Sequence, residues 1–436
     1  MRVFIGLTEV AGYFGNLAKG LRELGIETTF VDLYSHPFEY SRGAEAGDRL
    51  VDLHRTLSKR RASAAGGRGL SALWWAYLQK TCVLLILVRA AFSCDAFIFS
   101  SDTTFIRYVD LPVLRLLRKR IIFVFTGSDH RPSYMNGASV GSLDERSIAH
   151  CAALAKEIKA KLRRIERLAD VVVGHHLCAH FHERAFIPVQ LLGFPYTTTR
   201  TPLPPSGEGA EGMVRIVHAP SKPKHKGTAE IRLAIERLRE KGHPIDFVEL
   251  VNVPNDVVLD QLARCDFVVD ELYSDTRMAG LATEAAFLGK PTVVGGYARD
   301  EDLAIDGVYS SSAFPPVQFC HPDRLEEAIE ELITDVPYRL ALGKRACEFV
   351  RTHWSPSRVA ARYVALIDDK VPDGWTFDPR AIRYLHGTGM PESVARTAVG
   401  RLVDMFGIGA LCLRDKPEME RAFLDFADAD AEGVWR

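Results

Sequence analysis

The feature of the sequence that most constrains the fold is the alternation of short apolar runs with longer segments of helical periodicity. In the first half, these runs predict strands at Arg2–Leu7, Thr28–Asp32, Ala96–Ser100, Ile121–Phe125 and Val171–Gly174. In the second half, they predict strands at Val214–Ala219, Asp246–Val251, Phe267–Asp270 and Thr292–Gly295. Such alternation is typical of α/β domains, in which helices cover both faces of a parallel sheet.

An aperiodic segment rich in proline and glycine, residues 201–212, separates the two series and is predicted to be a linker. We therefore predict one Rossmann-like domain over residues 1–200 and a second over residues 213–370. Residues 371–436 carry helical patterns and are predicted to form a helical C-terminal extension, with helices at Pro379–Leu385, Glu392–Phe406 and Pro417–Phe426. Because open parallel sheets bind ligands beyond the carboxyl ends of their strands, the two domains are expected to face an interdomain cleft.

Composition and charge argue against several classes of protein. The formal net charge is −1, from 55 basic and 56 acidic residues, whereas nucleic-acid-binding domains usually carry a clear basic excess. The eight cysteines form no C-x-x-C pair, which argues against a zinc knuckle or a disulfide framework. Four histidines lie within residues 175–182, but nothing completes a zinc signature around them. We expect no metal and no cofactor, and expect these histidines to line a polar cleft.

The most apolar stretch, residues 73–99, is interrupted by Lys80, Arg89 and Asp95, and its charge-free centre is too short to cross a bilayer. It predicts a buried helix followed by a strand, with a membrane-surface helix as the alternative. A basic stretch within residues 55–68 precedes it and is most simply a solvated face. Because the first residues resemble a strand rather than a signal peptide, we expect a cytoplasmic protein, with peripheral contact at the inner face of the membrane as an alternative.

Three segments are candidates for ligand contacts, and the first is the turn after the opening strand. It contains Gly12 and Gly15, and glycines there let backbone N–H groups approach a ligand closely. The turn lacks the G-x-G-x-x-G spacing of dinucleotide-binding proteins, and the chain lacks the G-x-x-x-x-G-K-[ST] loop of NTPases. A tight turn without a ligand is the alternative interpretation.

The second candidate segment, residues 218–227, leaves a predicted strand and enters a helix. Lys222, Lys224 and Lys226 combine positive charge with the unpaired N–H groups of a helix N-terminus, an arrangement that suits a diphosphate. A short basic loop that is merely solvated is the alternative.

The third candidate segment, residues 270–291, follows the end of a predicted strand. The backbone N–H groups of Gly280, Leu281 and Ala282 begin a helix and predict an anion-binding nest. Glu284 lies in the first turn, where its carboxylate can accept hydrogen bonds from a ribose diol. A favourable interaction with the helix dipole is the alternative explanation of Glu284.

Together these segments carry a resemblance to a known family. A Lys-Gly pair before a helix, a strand that ends in Val-Asp and the motif G-x-x-x-E-A-x-x-x-G-K-P are similar to the donor domain of GT-B glycosyltransferases, especially the retaining family 4 group. The similarity covers residues 214–367. The first half resembles the family more loosely, through its glycine-rich turn and the sequence Phe-Thr-Gly-Ser-Asp at residues 125–129. The tail beyond residue 370 is not covered.

The resemblance implies two Rossmann-like domains around a cleft and a metal-independent transfer of a sugar from a UDP- or GDP-sugar to an acceptor hydroxyl. It further implies a role in glycan, polysaccharide or glycoconjugate biosynthesis, with a glycan, a lipid-linked compound or a small molecule as acceptor. The implied contacts to the donor diphosphate are Lys222, Lys226, Gly280, Leu281, Ala282, Gly12 and Gly15. Glu284 is implied to bind the ribose, and Arg131 to lie on the acceptor side. The candidate catalytic residues are Asp129 and Asp275.

The sequence departs from the family pattern near the sugar. The family usually has a glutamate eight residues before the second one, and Thr276 stands at that position here, with Asp275 as a neighbouring substitute. Gly280 also lies four residues before Glu284, where five is commoner. These departures leave the sugar and the retention of anomeric configuration open. An epimerase of the same fold and a non-catalytic nucleotide-binding scaffold are the alternatives to a transferase.

Overall fold

The computed structural model describes residues 1–34, 48–63, 70–101, 103–201, 212–305 and 308–428. Within these ranges the chain forms two parallel sheets with helices packed on both faces of each. The predicted α/β class with two Rossmann-like domains is therefore confirmed. The predicted linker lies almost entirely outside the described residues, and the domain limits remain a prediction.

The first sheet has six strands in the order β2–β1–β3–β4–β5–β6. Its strands are β1 (Arg2–Thr8), β2 (Glu27–Tyr34), β3 (Ala96–Ser100), β4 (Arg120–Val124), β5 (Val171–Gly174) and β6 (Ile187–Pro188). The helices in this part of the chain are α1 (Tyr13–Glu23), α2 (Arg49–Ser63), α3 (Leu70–Ser93), α4 (Asp110–Leu116), α5 (Gly137–Val140), α6 (Glu145–Glu166) and α7 (Val189–Leu192).

The second sheet has five strands in the order β11–β10–β9–β7–β8. Its strands are β7 (Val214–His218), β8 (Ile245–Glu249), β9 (Phe267–Val269), β10 (Thr292–Gly295) and β11 (Gln318–Cys320). The helices in this part are α8 (Pro223–Lys226), α9 (Thr228–Glu240), α10 (Asn255–Arg264), α11 (Gly280–Phe287), α12 (Asp300–Leu303), α13 (Leu325–Thr334), α14 (Val336–His353) and α15 (Pro356–Ile367).

All nine predicted strands are present, and their ends lie within two residues of the predicted ends. The two strands that no pattern predicted, β6 and β11, contain only two and three residues at sheet edges. Runs this short carry no readable alternation. In both sheets the strand order reverses beside the first strand, between β1 and β3 and between β7 and β9. Ligands of open parallel sheets bind at such reversals, beyond the carboxyl ends of the strands.

Helix α15 belongs to the second domain by sequence order but packs on the first domain. The hydroxyl of Tyr363 on α15 lies 2.8 Å from the hydroxyl of Tyr13 on α1, and both rings are buried. A Cβ added to Gly20 on α1 would lie 2.0 Å from the carbonyl oxygen of Pro356. The backbones of the two helices therefore approach so closely that only glycine fits at position 20.

The C-terminal extension also contacts both domains. It contains α16 (Glu392–Phe406) and α17 (Pro417–Asp428), close to their predicted bounds, whereas the third predicted helix, Pro379–Leu385, is only a 3₁₀ turn at Pro379–Ala381. The backbone becomes extended at Ile382, directly after the 3₁₀ turn, and the chain then passes between the domains. There the N–H of Gly389 donates to the carbonyl of Tyr273, and the carbonyl of Thr388 accepts from Gly137. The extension thus joins the two domains on one side of the cleft.

Helix α3 is exposed along its outward side, so the predicted buried helix is wrong in this respect. Cys82, Ile86 and Leu87 pack into the core, but Tyr77 and Phe92 on the opposite side are exposed at 63% and 81%. The segment Leu73–Ser93 is long and apolar enough to span a bilayer by length and composition, and 28% of the 18-residue window that meets this criterion is buried.

The contact between α1 and α15 can be tested with a helical glycine. Gly20→Ala is expected to lower the melting temperature because the added methyl group collides with the backbone at Pro356. Gly400→Ala on α16 is the matched control, because its added Cβ meets only the Ala427 methyl, at 4.0 Å, and alanine favours helix. Equal melting temperatures for the two variants would show that the helices do not pack this closely.

Candidate functional site

A cavity of about 250 Å³ opens at the carboxyl end of the second sheet, at the reversal between β7 and β9. We call it the second-sheet cavity. Its polar lining comes from the loops after β7, β8 and β9 and from the start of α11, and consists of Ser221, Lys226, Asn252, Asn255, Asp270 and Glu284. Gly280 and Leu281 complete this wall, and Ala11 from the first domain lines the cavity beside Gly280.

Lys226 is held at the mouth of this cavity by the turn that follows it. Gly227 has a φ of 71°, and a Cβ on it would lie 2.5 Å from the Cβ of Leu272, so the Lys-Gly junction requires glycine. The ammonium of Lys226 pairs with Glu271 and lies 3.9 Å from an oxygen of Asp270. Burial acts to lower the pKa of Lys226, but the two carboxylates outweigh it and the pKa is raised. Lys226 therefore stays charged.

Glu284 projects from the first turns of α11 into the same cavity. Its Oε1 accepts a hydrogen bond from the side-chain amide of Asn255 at 3.0 Å. Burial raises the pKa of Glu284 to about 7, because one amide donor compensates little of its lost hydration. Asp270 lies nearby, and burial raises the pKa of its carboxyl to about 6. The cavity therefore holds one cation and two carboxyl groups that resist ionisation.

The predicted anion nest at the start of α11 is partly taken by the protein itself. Gly280 and Leu281 line the cavity, whereas Ala282 is buried and its backbone N–H favours the ionised carboxylate of Asp270. Lys222, the N-terminal cap residue of α8, is exposed and lies outside the cavity lining. Of the predicted diphosphate contacts in the second domain, Lys226, Gly280 and Leu281 therefore converge with Glu284, and Lys222 does not.

A carboxylate also fills the helix N-terminus in the first domain. Glu9 accepts hydrogen bonds from the backbone N–H groups of Val10, Phe14 and Gly15, at 2.7 Å, 3.1 Å and 2.7 Å. Burial nevertheless raises the pKa of Glu9 to about 7. The predicted phosphate contact through Gly15 is thus not available in this structure, because Glu9 already accepts from that N–H. Gly12, the N-cap of α1 at a φ of 79°, follows Ala11 in the turn that reaches the second-sheet cavity.

A second cavity, of about 170 Å³, lies between the domains and shares Ala11, Ala279 and Gly280 with the first. We call it the interdomain cavity. Its polar lining consists of Tyr13, Thr126, Arg131, His175, Tyr196, Asp275, Thr276 and Thr283. The two cavities are therefore neighbours, with these three residues in the lining of both.

A buried ion pair joins the domains in the interdomain cavity. Arg131, after β4, donates to the carboxylate of Asp275, after β9, and both side chains are only 7% exposed. Burial acts to raise the pKa of Asp275, but the guanidinium outweighs it and the pKa lies below its ordinary value. The sequence interpretation placed Arg131 and Asp275 in the site separately and missed that they pair. Residues 144 apart give no local signal of such a contact.

Asp129 has a local structural contact. Its carboxylate accepts from the backbone N–H of Gly127 at 3.0 Å and from that of Thr126 at 3.4 Å, which shapes the loop after β4. This loop carries Arg131 into the cleft. Asp129 is half-buried and is not in the lining of either cavity.

Of the four clustered histidines, His176, His180 and His182 are buried and lie outside the lining of both cavities, so the prediction that they line a polar cleft is wrong for these three. His182 bonds to His130 and to Glu166, at 2.9 Å and 2.7 Å, and His180 bonds to the carbonyl of Tyr384 at 2.7 Å. His176 packs edge to face on Phe377. These three side chains therefore belong to the core of the first domain and to its contact with the C-terminal extension.

His175 is the histidine that faces the interdomain cavity. Neither ring nitrogen has a hydrogen-bond partner in the described part of the chain, and burial lowers its pKa to about 3. The imidazole is therefore neutral at physiological pH and has both nitrogens available to a ligand. A sulfur of Cys178 and a carboxylate oxygen of Asp275 lie within 4.8 Å of it, which is a spacing that a metal ion can use. Arg131 already neutralises this carboxylate, so a cation there would have to displace the guanidinium.

No protein-family model and no curated protein matches the sequence. Among solved structures, the chain is similar to the glycosyltransferase SnogD from Streptomyces nogalater (15% identity, TM-score 0.40), to HepE from Anabaena in complex with UDP-glucose (12%, 0.46) and to the catalytic domain of starch synthase IV from Arabidopsis thaliana bound to ADP and acarbose (12%, 0.45). The alignments cover 84%, 84% and 85% of this chain and 99% of each of these structures. At these identities and TM-scores the likeness supports no conclusion about activity.

The interdomain ion pair can be tested by unfolding in urea. Arg131→Met and Asp275→Asn each leave one buried charge unpaired, and each is expected to lower the free energy of unfolding by about 3–5 kcal/mol. The double variant Arg131→Met/Asp275→Leu is expected to regain most of this loss because neither charge remains. The exposed pair of Arg324 and Glu327 provides the control, since Arg324→Met should change stability only slightly. Single variants no worse than this control would contradict a buried pair.

Burial of Glu284 predicts a pH-dependent gain in stability for Glu284→Gln. The pKa of Glu284 is higher in the folded chain, about 7, than its ordinary 4.5, so the folded state loses stability as pH rises through this range. Glutamine has no such loss and can still accept from Asn255. Melting temperatures should therefore be higher for the variant at about pH 8 and nearly equal at about pH 5. Glu348→Gln, at an exposed position, should show no difference at either pH, and a pH-independent effect at Glu284 would contradict the raised pKa.

Proposed function

We propose that this protein is a glycosyltransferase that moves a sugar from a nucleotide-diphosphate-sugar to an acceptor hydroxyl. The observation that carries the proposal is the convergence of Lys226, Glu284 and the amino end of α11 on one cavity at the carboxyl end of the second sheet. This is the location at which a Rossmann-like domain binds a nucleotide. The order of the motifs in the second half, which is similar to glycosyltransferase donor domains, supports the same assignment.

Each part of the second-sheet cavity matches one part of the donor. Lys226 supplies a fixed positive charge beside the amino end of α11, where Gly280 and Leu281 line the cavity, and this arrangement suits a diphosphate. Glu284 offers carboxyl oxygens for the two ribose hydroxyls, deeper in the cavity and beside Asn255. The diphosphate then lies near Gly280, where the two cavities join, and the sugar extends into the interdomain cavity.

In the proposed reaction an acceptor hydroxyl attacks the anomeric carbon while the bond from this carbon to the diphosphate oxygen breaks, and the hydroxyl proton passes to the departing diphosphate. Negative charge develops on the leaving diphosphate, and Lys226 stabilises it without a metal ion. Glu271 and Asp270 hold Lys226 charged and in place. A diphosphate at this ammonium competes with Glu271, its nearer partner, and with Asp270, whose pKa burial raises to about 6.

The interdomain cavity supplies polar groups for the sugar and the acceptor. His175 is neutral and presents both nitrogens, so it can exchange hydrogen bonds with sugar hydroxyls. Thr276 stands in this lining, where the family pattern has a glutamate, and Asp275 beside it is committed to Arg131. We propose that Asp275 orders the cleft through Arg131 and that a hydroxyl, rather than a carboxylate, contacts the sugar at position 276.

The assignment predicts a specific loss in Lys226→Ala. Purified protein is screened by thermal shift against UDP, GDP and ADP and their glucose conjugates, because a ligand that binds the native state raises the melting temperature. The preferred ligand is expected to lose its shift in Lys226→Ala, and turnover is expected to fall by about a hundredfold or more, as for loss of one preorganised donor. Lys224→Ala removes the same charge from an exposed neighbour and should retain both the thermal shift and the turnover.

Four outcomes would contradict a transferase. If no nucleotide diphosphate shifts the melting temperature, or if Lys224→Ala and Lys226→Ala behave alike, the second-sheet cavity is not a donor site. Conversion of the donor alone to its epimer, followed by NMR, would assign a same-fold epimerase. Nucleotide binding without turnover over a broad acceptor panel would assign a scaffold.

A further inference from the structure

We propose that the hairpin of α2 and α3, together with α4, docks the protein on an anionic lipid bilayer. The observation behind this proposal is an apolar face on α3 that is turned outward rather than into the core. At helical spacing this face presents Leu73, Trp74, Tyr77, Leu84, Leu85, Val88 and Phe92, which are exposed between 45% and 81%. A helix on the surface of a soluble protein normally presents polar residues on that side.

Helix α4 extends the apolar surface. Its inward residues Leu111 and Leu114 pack on the same side of the first sheet as Ile86 and Leu87 of α3. The outward residues of α4 and its flanks are again apolar and exposed, namely Ile106, Val109, Val113, Leu116 and Leu117. Contiguous exposed apolar surface of this kind marks an interaction site rather than ordinary surface.

The charges around this surface are complementary to an anionic membrane. Residues 53–63 and 70–93 contain no acidic residue, and the only one in residues 105–120, Asp110, is buried. The exposed basic residues at these positions include Lys59, Arg60, Arg61, Arg107, Arg115 and Arg118. Because the whole chain has a net charge of −1, this is a local excess and not a general property. Basic residues beside an apolar helix face favour binding to anionic headgroups.

The end of α2 and the start of α3 have the composition of a membrane interface. The guanidinium of Arg60 lies 5.2 Å from the centre of the Trp75 ring, and Arg61 donates to the side chain of Gln79 on α3. Trp74 stacks on Tyr77 with ring centres 6.2 Å apart. Tryptophan and tyrosine prefer the headgroup region, where the ring is desolvated and its polar atom stays hydrated.

The inner side of α3 decides between docking on a membrane and crossing it. Ile86, Leu87 and Ala90 pack in the core of the first domain, and the chain enters β3 three residues after the end of α3. To cross a bilayer, α3 would have to leave this core. The lipid therefore contacts only the outward face, and the helix lies on the surface.

The orientation of α3 places its aromatic end beside the cleft. Helix α3 precedes β3 and runs antiparallel to it, so α3 begins at the carboxyl edge of the first sheet, where the cleft lies. At 24 residues α3 is about 36 Å long, whereas the five residues of β3 span about 17 Å. The end of α3 that carries Trp74 and Tyr77 therefore extends past the strand ends on the cleft side.

The test is flotation of the full-length protein with vesicles of phosphatidylcholine alone or with about 30% phosphatidylglycerol, a composition that gives a negative surface. We expect the protein to float with the anionic vesicles and to be released in part by high salt, which screens the basic residues. Binding should be much weaker to phosphatidylcholine alone. Failure to bind the anionic vesicles would overturn the proposal, as would retention on them after a wash with alkaline carbonate, which identifies an inserted helix.

Serine substitutions on the outward face identify the contact. The triple variant Leu73→Ser/Leu84→Ser/Leu85→Ser is expected to reduce vesicle binding by about tenfold or more, because three exposed side chains lose their transfer into lipid. The matched control changes three apolar residues of similar exposure elsewhere, Leu233, Leu340 and Met405, to serine. Equal binding by both triple variants would overturn the assignment to α3. An unchanged melting temperature in each variant confirms that the fold is retained.

Light scattering without lipid tests the alternative that a second copy of the chain packs on this face. We expect the unsubstituted protein and the α3 triple variant to have the same mass in solution. A dimer that the substitutions on α3 convert to a monomer, with no binding to anionic vesicles, would show that the face serves self-association instead.

Discussion

The ion pair between Arg131 and Asp275 is the contact on which the arrangement of the site depends. It joins the loop after β4 to the loop after β9. Both side chains line the interdomain cavity, which shares lining residues with the second-sheet cavity. The same loop after β9 is held again at Tyr273, whose carbonyl accepts from Gly389 of the C-terminal extension. Because a buried charge without its partner is strongly unfavourable, the pair favours one relative position of the two domains. The extension, which the sequence interpretation left without a role, thus reinforces the cleft.

The site also contains several carboxyl groups that burial disfavours in their ionised form. Glu9 and Glu284, with pKa values raised to about 7, and Asp270, raised to about 6, lie at or near the ends of α1 and α11 that face the cavities. A chain selected only for stability would place neutral side chains there. Helix N-termini stabilise anions, and in this protein the carboxyl groups of Glu9 and Asp270 accept from the N–H groups of these helix ends. A diphosphate near α11 competes with Asp270, so ligand charge and carboxyl protonation are coupled at this point.

The sequence was sufficient to predict the parts of the fold that depend on local periodicity. Buried parallel strands such as Ala96–Ser100 are apolar throughout and flanked by helical patterns, and they were placed to within two residues. The convergence of Lys226 with Glu284 was also predictable, because both residues follow the ends of neighbouring strands in one sheet. Contacts between distant segments were not predictable. The pairing of Arg131 with Asp275 and the return of α15 to Gly20 depend on how two domains meet, and neither partner shows this in its own neighbourhood.

Helix α3 shows why hydrophobicity alone does not give the position of a helix. Its composition predicts burial, and its inward side is buried as predicted, through Ile86 and Leu87. The outward side is equally apolar, and a helix in an outer layer of an α/β domain can bury only the side that faces its sheet. An apolar residue count cannot separate these two sides, because the outward residues recur at the same helical spacing as the inward ones. The exposed apolar side chains therefore indicate that this face contacts something other than water. Because they lie at the cleft edge of the first sheet, this contact surface adjoins the site. If the cleft transfers a sugar as proposed, an acceptor carried in the bilayer could reach it without the protein leaving the membrane surface.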